Sequence, residues 1–455
     1  MSIWHAPHAA GPVSARVRLP GSKSVTNRAL VLAALSATPS IVESPLQARD
    51  SQLAVAALRA LGCSISGTTY WRVSPGSPPP GSTVTVDIGN SGTCMRFLPA
   101  VAALSSASVR FEGDARARER PVEVLLTALR SLGVAVDGDA VPFTVHGQGS
   151  VRGGSVTVDA SGSSQLVSGL LLAAPRFENG IEVHHAGPPV PSAPHIAMTV
   201  RMLRAAGASA STSASASANP SASVSMAPMT PLERADGAND PLGARPDTWR
   251  VEPGTLNLGT IDVEPDLSNA GPFLAAALVT GGTIVIPGWS ADSLQAATQI
   301  LDVVTSMGAS CSVSEAGLTI SGTGEVRGIT ASLRDVSELA QVLTAVAAVA
   351  SSPSTFTGIA HTRTQETDRL AALAKEINGL GGDVTELPDG LTIRPRPLRT
   401  DPSRPFGSYA DHRMVMAAAV LGLVVPGVLV DDAETVGKTF PGFMDAWASM
   451  LGSRH

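Results

Sequence analysis

Six times along the chain a short polar or charged run breaks directly into an Ala- and Leu-rich apolar stretch. The junctions are PGSKSVTNRALVLAAL from Pro20, GNSGTCMRFLPAVAAL from Gly89, SGSSQLVSGLLLAA from Ser161, PDLSNAGPFLAAAL from Pro265, RDVSELAQVLTAVAAV from Arg334 and YADHRMVMAAAVLGL from Tyr409. Each predicts a helix start, with a Ser, Asp or Asn near the cap position whose side-chain oxygen can accept from a free backbone N–H. Successive junctions lie about 70 residues apart, except the third and fourth at about 105, and self-similarity at a fixed period marks a fold built from copies of one unit. The chain reads as a six-unit array.

A second helix is expected within each unit, ending at a glycine, as in LAVAALRALGCSIS, VEVLLTALRSLGVAVD, AMTVRMLRAAGASAS, ILDVVTSMGASCSVS and LAALAKEINGLGGDVTEL. Apolar residues at three-and-four spacing, a Gly stop and then β-branched alternation predict helix, cap and strand in turn. STVTVDI, SVTVDA, GTIVIPG, GLTISG and GVLVDD are the strand candidates, so the class is α/β. At 455 residues the chain is too long for one core, and two domains of three units each are expected.

One stretch breaks the period. From Ser209 to Asp247 the chain is rich in Ala, Ser and Pro and poor in apolar bulk, and its length matches the excess in the long gap, so a disordered excursion is expected there. No apolar run approaches the ~20 residues of a membrane span, and the N-terminal MSIWHAPHAAGPV lacks the basic-then-apolar order of a signal peptide, which points to a cytoplasmic protein. Cys63, Cys94 and Cys311 lack metal-ligand spacing and read as buried thiols. His184, His185 and His195 have no Cys or carboxylate at ligand spacing, and no metal site is expected.

The net charge of −6 hides where the basic residues lie. Lys23, Arg28, Arg96 and Arg413 sit in or next to the helix-start junctions, Arg120 and Arg369 open second helices, and Lys438 precedes TFPGF. A helix N terminus already presents unpaired N–H groups and about half a positive charge, so a cation there opposes the helix unless an anion is to be bound. Seven such residues at comparable places predict a shared anion-binding role. Nucleic acid is a poor fit, given the acidic balance, an aromatic content of 4% and no basic stripe with interleaved rings. A small, highly charged substrate suits the pattern better.

The ordered set PGSKSVTNRALVLAAL, GNSGTCMR, RERP, SGSSQ, QETDRL, ADHRM and GKTFPGF resembles the 5-enolpyruvylshikimate-3-phosphate synthase family over the whole chain outside the Ser209–Asp247 stretch. The resemblance implies a two-domain inside-out barrel of six βαβαββ units, three per domain, with one domain at residues 20–263 and the other at 1–19 plus 264–455. It implies transfer of the enolpyruvyl group of phosphoenolpyruvate to the 5-hydroxyl of shikimate 3-phosphate with release of phosphate, without metal or organic cofactor, nucleic acid or membrane. A monomer is expected. The family is the target of the inhibitor glyphosate.

Both substrates carry a phosphate and a carboxylate, which Arg can grip in bidentate fashion and Lys as a point charge. By the resemblance Lys23, Arg120 and Lys438 surround the phosphate of phosphoenolpyruvate, with the backbone of Gly92 close by, and Arg369 and Arg413 clamp its carboxylate. Ser24 and Arg28 take the shikimate carboxylate, Ser163, Ser164 and Ser192 its phosphate, and Gln165 lies between the substrates. His361 belongs to the shikimate 3-phosphate set. So does Gln365, at a position where relatives carry Lys or His against the ring hydroxyls. Addition and then elimination requires an acid and a base. Glu366 is the expected proton donor, Lys23 assists, and the base comes from RDVSEL. There, spacing along one continuous helix back from His361 favours Glu338 over Asp335, which would be a cap. Arg96 reads as structural.

Three other readings compete. A UDP-N-acetylglucosamine enolpyruvyl transferase would share the fold but carry a reactive Cys on a mobile loop, whereas Cys94 lies in a helix start. An RNA 3′-phosphate cyclase would need a nucleotide-attaching His, for which His361 and His412 are the candidates. An inactive scaffold would not need the full acid, base and anion set.

Overall fold

The structure is a computed structural model and describes residues 3–214 and 245–452. The chain divides into two compact units, Gly21–Val263 and Met1–Pro20 with Glu264–His455. The first contains helices α1 (Lys23–Leu35), α2 (Arg49–Ala60), α3 (Gly92–Ala103), α4 (Glu123–Ser131), α5 (Ser164–Ala173) and α6 (Pro194–Ala205). The second contains α7 (Gly271–Thr280), α8 (Ala297–Ser306), α9 (Ala340–Ala348), α10 (Arg369–Gly379), α11 (His412–Val424) and α12 (Phe443–Met450).

The repeat is visible in the sheets. Among the described residues, five four-stranded sheets share one pattern, a parallel pair followed by two antiparallel pairings, as in Thr83–Asp87, Ser108–Glu112, Phe143–His146 and Ala135–Asp137. The sixth unit is reduced. Leu429–Asp431 pairs antiparallel with Ile3–His5 from the far end of the chain, and the parallel position is filled by a single bridge from Phe406 to Val430. Another N-terminal strand, Ser14–Arg16, pairs parallel with Thr283–Ile286, so the second unit is assembled from both ends of the sequence.

In each unit the helices that follow the six junctions are the buried ones. α1, α3 and α5 pack on one another in the first unit, and α7, α9 and α11 in the second. Every residue of α3 is buried, as is α11 from His412 to Leu423. A helix apolar on all sides belongs inside, and small Ala and Gly residues let backbones approach closely. At Gly169 of α5, a Cβ would collide with the Arg96 carbonyl of α3. The alternate helices are amphipathic and present one face inward; α4 buries only Leu125, Leu126, Ala128 and Leu129. In the second unit Phe273 of α7 packs against Phe440, Phe443 and Trp447, with ring centroids 5.4 to 6.0 Å apart, which fixes the GKTFPGF stretch.

Four junctions are capped as the sequence predicts, by Ser22, Ser91, Ser163 and Asp411. Two differ. α7 begins at Gly271 with no side-chain cap, because Asp266 Oδ1 instead accepts from the Ser268 and Asn269 amides in a turn before the helix. RDVSEL is not part of a continuous α-helix but a 3-10 turn over Arg334–Leu339, interrupted at Val336 (φ −128°), and α9 starts only at Ala340. This removes the helical-spacing premise for choosing between Asp335 and Glu338.

The expected excursion at Ser209–Asp247 falls mostly on residues 215–244, outside the described residues, and its near edge is corrected. Ala210–Ser213 is a strand paired antiparallel with Thr248–Val251, where backbone ladder bonds and buried Ala210 outweigh a composition poor in β-formers. Two smaller expectations also change. Cys63 and Cys94 are buried but Cys311 is only half-buried, and His184 has a carboxylate partner, Glu182 Oε1 at 2.8 Å, on its own strand. Because Ser213 already pairs with Thr248, a turn of a few residues can join them. Replacing residues 215–244 by such a turn is expected to shift the melting temperature by less than ~3 °C and kcat by less than about twofold. Thermal melts and a steady-state assay check this, and loss of soluble protein would contradict it.

Candidate active site

The starts of α1, α3 and α5 meet through three buried arginines of the first unit. Arg28 is 1% exposed. Its Nε donates to Thr199 Oγ1 at 2.7 Å, Nη1 to the Ser24 carbonyl at 3.0 Å, and Nη2 to Ser168 Oγ at 3.2 Å and the His195 carbonyl at 3.1 Å. Its guanidinium lies 5.0 Å from the centre of the Phe97 ring. Burial draws the Arg28 pKa down to about 9, which leaves it cationic at neutral pH, held by dipoles and a ring face. Arg96 Nη1 donates to Gln165 Oε1 at 3.1 Å and Nη2 to the Pro121 carbonyl at 3.0 Å, tying α3 to α5. Arg120 Nη1 donates to the Asn90 carbonyl at 2.8 Å.

Gly92 explains why these two guanidiniums can sit at the start of α3. A Cβ there would overlap Arg120 Nη2 and meet Arg96 Nη1 at 3.0 Å. Burial first, and the neighbouring Arg120 charge second, hold the Arg96 pKa well below its ordinary value. Two buried like charges at a helix N terminus make a strongly electropositive spot. Lys23, on the first turn of α1, lies 3.4 Å from buried Asp50. Ser163 caps α5 by accepting from the Gln165 amide at 3.2 Å, and Ser164 is buried beside it. Ser192 is buried with φ 49°, and its carbonyl accepts from His195, whose own carbonyl holds Arg28.

In the second unit the starts of α7, α9 and α11 converge on Arg413. Its Nη1 donates to the Glu338 carbonyl at 2.5 Å and its Nη2 to Ser268 Oγ at 3.1 Å. Arg369, at the start of α10, is gripped by Asp411, with Nε to Oδ2 at 2.7 Å and Nη2 to Oδ1 at 3.2 Å, and it also donates to Gln365 Oε1. Glu366 is ringed by two cations and an imidazole, with Lys438 Nζ at 2.8 Å, His412 Nδ1 at 3.0 Å and Arg369 Nη2 at 3.7 Å, and burial draws the His412 pKa down. Burial pushes the Glu366 carboxyl up, but Lys438, His412 and Arg369 outweigh it and hold it well below the usual carboxylate range. His361 donates to or accepts from Ser337 Oγ at 3.0 Å, and burial takes its pKa down to about 4 against the opposing pull of Glu338. It is therefore neutral at pH 7.

The basic residues singled out in the sequence thus fall into two sets, one in each unit. The charge of Glu338 acts on His361, Arg369 and Arg413. As found, Glu366 carries no proton to donate, so the expected donor is an ion-pair partner of Lys438 in this state. Sequence reading missed Asp411, Ser268, Asp50, Thr199 and Ser168 as partners of the basic residues. Asp411 was visible as a cap; the others carried no local signal. Glu366, Asp411 and His412 place three possible metal-ligand atoms within 4.8 Å of one another. Lys438 and Arg369 already engage both carboxylates, a surrounding of cations that repels a metal ion. No helix among the described residues is long and apolar enough to cross a membrane.

The architecture and its two sets of buried cations define an enzyme for small polyanionic substrates. The family model for EPSP synthase (3-phosphoshikimate 1-carboxyvinyltransferase) matches residues 7–226 and 242–447. Two solved structures of EPSP synthase from Acinetobacter baumannii are similar at 23% and 22% identity, each with a TM-score of 0.75 over 99% of this chain and 98% of theirs. The chain belongs to the EPSP synthase family and is a 3-phosphoshikimate 1-carboxyvinyltransferase, moving the enolpyruvyl group of phosphoenolpyruvate to shikimate 3-phosphate.

Glu366 also links the site to stability. Folding lowers its proton affinity, so its ionised form stabilises the protein fully above about pH 4.5 and ceases to do so as pH falls through the depressed folded value. Glu366→Gln removes the negative charge beside Lys438 and Arg369 and is expected to cost on the order of 3 kcal/mol at pH 7. The difference from the parent should narrow below pH 4.5, as read by denaturant unfolding across pH. A gap independent of pH would contradict the ion-pair assignment.

Proposed function

We propose that the two basic sets divide the four anionic groups of the substrates between them. In the first unit, Lys23 and Arg120, with the amides beside Gly92, hold the phosphate of phosphoenolpyruvate. Ser24 and Arg28 take the carboxylate of shikimate 3-phosphate, Ser163, Ser164 and Ser192 its phosphate, and Gln165 borders both. In the second unit Arg369 and Arg413 clamp the carboxylate of phosphoenolpyruvate, Lys438 serves its phosphate, and His361 and Gln365 face the shikimate hydroxyls. The observation that carries this reading is the pair of guanidiniums crowded over Gly92 at the start of α3, a place whose backbone N–H groups also favour an anion.

In the reaction the 5-hydroxyl oxygen adds to C2 of phosphoenolpyruvate while its methylene carbon gains a proton. The C2–O bond to phosphate then breaks as the new methyl group loses one. Glu338 serves as base toward the hydroxyl, supported by its electrostatic reach to Arg369 and Arg413. Glu366 becomes an acid only after substrate anions claim Lys438 and Arg369. Burial, the largest influence on its carboxyl, then raises its proton affinity. Lys23 neutralises the departing phosphate. Cys94 gives no support to a sister enzyme that depends on a reactive thiol, since burial pushes its pKa up to about 12. The free cysteines suit a reducing cytoplasm.

The test is phosphate release from phosphoenolpyruvate, expected only when shikimate 3-phosphate is also present. Lys23→Met and Arg120→Ala should each lower turnover by ~10²-fold or more. Glu338→Gln should lower kcat by ~10²-fold with little change in KM, and Asp335→Asn by much less. Equal phosphate release without shikimate 3-phosphate would refute the assignment, and the reverse order of the last two variants would move the base to Asp335.

A further inference from the structure

The turn that delivers Asp411, His412 and Arg413 is strained. Tyr409 (φ 55°) and Ala410 (φ 53°) are consecutive non-glycine residues in the left-handed region, which such side chains disfavour. Upstream, the turn is anchored to the reduced sheet. Phe406 exchanges backbone bonds with Leu429 and Asp431, and the Ser408 amide donates to Asp431 Oδ1 at 2.5 Å. Downstream, Asp411 caps α11 and grips Arg369. Between these anchors the Tyr409 ring folds back onto Gly407, where a Cβ would lie 2.7 Å from its Cε2. The Tyr409 hydroxyl donates to Glu376 Oε1 at 2.5 Å, and Lys375 Nζ lies 5.3 Å from the ring centre.

Glu376 is 6% exposed and belongs to α10, the helix that Arg369 opens. Positions 369 and 376 are seven apart, about two helical turns, so both project from nearly the same face. The four-residue stretch from Ser408 to Asp411 therefore grips α10 twice, through Tyr409 on Glu376 and through Asp411 on Arg369. Arg413 follows two residues later, and its own amide donates to Asp411 Oδ1 at 2.9 Å. Nothing in the chemistry of the transfer calls for Tyr409 or Glu376 themselves.

We propose that Tyr409 is a positioning residue, whose hydrogen bond to Glu376 holds the strained turn against α10 and thereby sets Arg369 and Arg413 for the carboxylate of phosphoenolpyruvate. The proposal rests on the reading that these two arginines clamp that carboxylate. Without the hydroxyl, the left-handed pair is free to relax, Asp411 turns with it, and the two guanidiniums lose their common register. The set that takes shikimate 3-phosphate in the first unit is untouched.

Tyr409→Phe keeps the ring, its contact with Gly407 and the Lys375 cation over its face, and removes the hydroxyl with its bonds to Glu376 and Lys375. It is expected to raise the KM for phosphoenolpyruvate about tenfold, with the KM for shikimate 3-phosphate and the melting temperature nearly unchanged. Glu376→Ala should act alike, and the double variant no worse than either. Glu376→Gln, whose amide oxygen still accepts the bond, should stay near the parent. An unchanged KM for phosphoenolpyruvate in Tyr409→Phe overturns the proposal, as does a parallel change in both KM values and the melting temperature. Arg413→Lys, assayed alongside, tests the underlying clamp. If it leaves the KM for phosphoenolpyruvate unchanged, the clamp reading falls, and if it raises that KM while Tyr409→Phe does not, only the positioning role falls.

Discussion

Cations buried at the starts of buried helices are the constraint around which this protein is organised. Arg28, Arg96, Arg369 and Arg413 are all under a tenth exposed, and each lies within the first two turns of its helix. Such a placement costs free energy and is retained where it serves binding. The repeat supplies the means. A helix that is apolar on all sides must pack centrally within its unit, and packing three of them together brings their first turns to one place.

Much of this frame was legible in the sequence because it is local. Ser22, Ser91, Ser163 and Asp411 cap where their spacing indicates, and the Gly stops mark the second helices. Reading failed where a competing local interaction won. Asp266 spends its side chain on a turn and delays α7 to Gly271, and Val336 interrupts RDVSEL so that α9 starts after Glu338. The reduced sixth sheet was illegible for another reason. Its partner strand Ile3–His5 comes from more than 400 residues away, and no periodicity reports a pairing at that separation. Ala210–Ser213 shows the converse, a weak strand sequence held by its neighbour.

The site was legible as a set of residue types and illegible as a set of partnerships. Arg28 is separated from Thr199 by 171 positions and Arg369 from Asp411 by 42, and neither pairing has a signature in spacing. Glu366 illustrates the consequence. From the sequence it is a carboxylate near a basic residue and suits a proton donor. With Lys438, His412 and Arg369 around it, it is an ionised counter-charge that must first lose its partners. For Glu338 the sequence premise is lost, and the proposal that it is the base rests instead on the reach of its charge to His361, Arg369 and Arg413.

The buried cations are held in two ways. Arg28 and Arg96 of the first unit and Arg413 of the second are held by hydroxyl, amide and carbonyl oxygens, which offer partial charges and can remain in place when an anion arrives. Lys23 of the first unit and Arg369 and Lys438 of the second are held by the full charges of Asp50, Asp411 and Glu366. An anion entering there competes with a carboxylate already in place, and whatever it displaces must change its protonation or find another partner. Dipole-held arginines are therefore suited to binding with little rearrangement. Carboxylate-held cations are suited to chemistry, because binding at them perturbs a titratable group, and the acid and base assigned to the reaction both lie in the second unit.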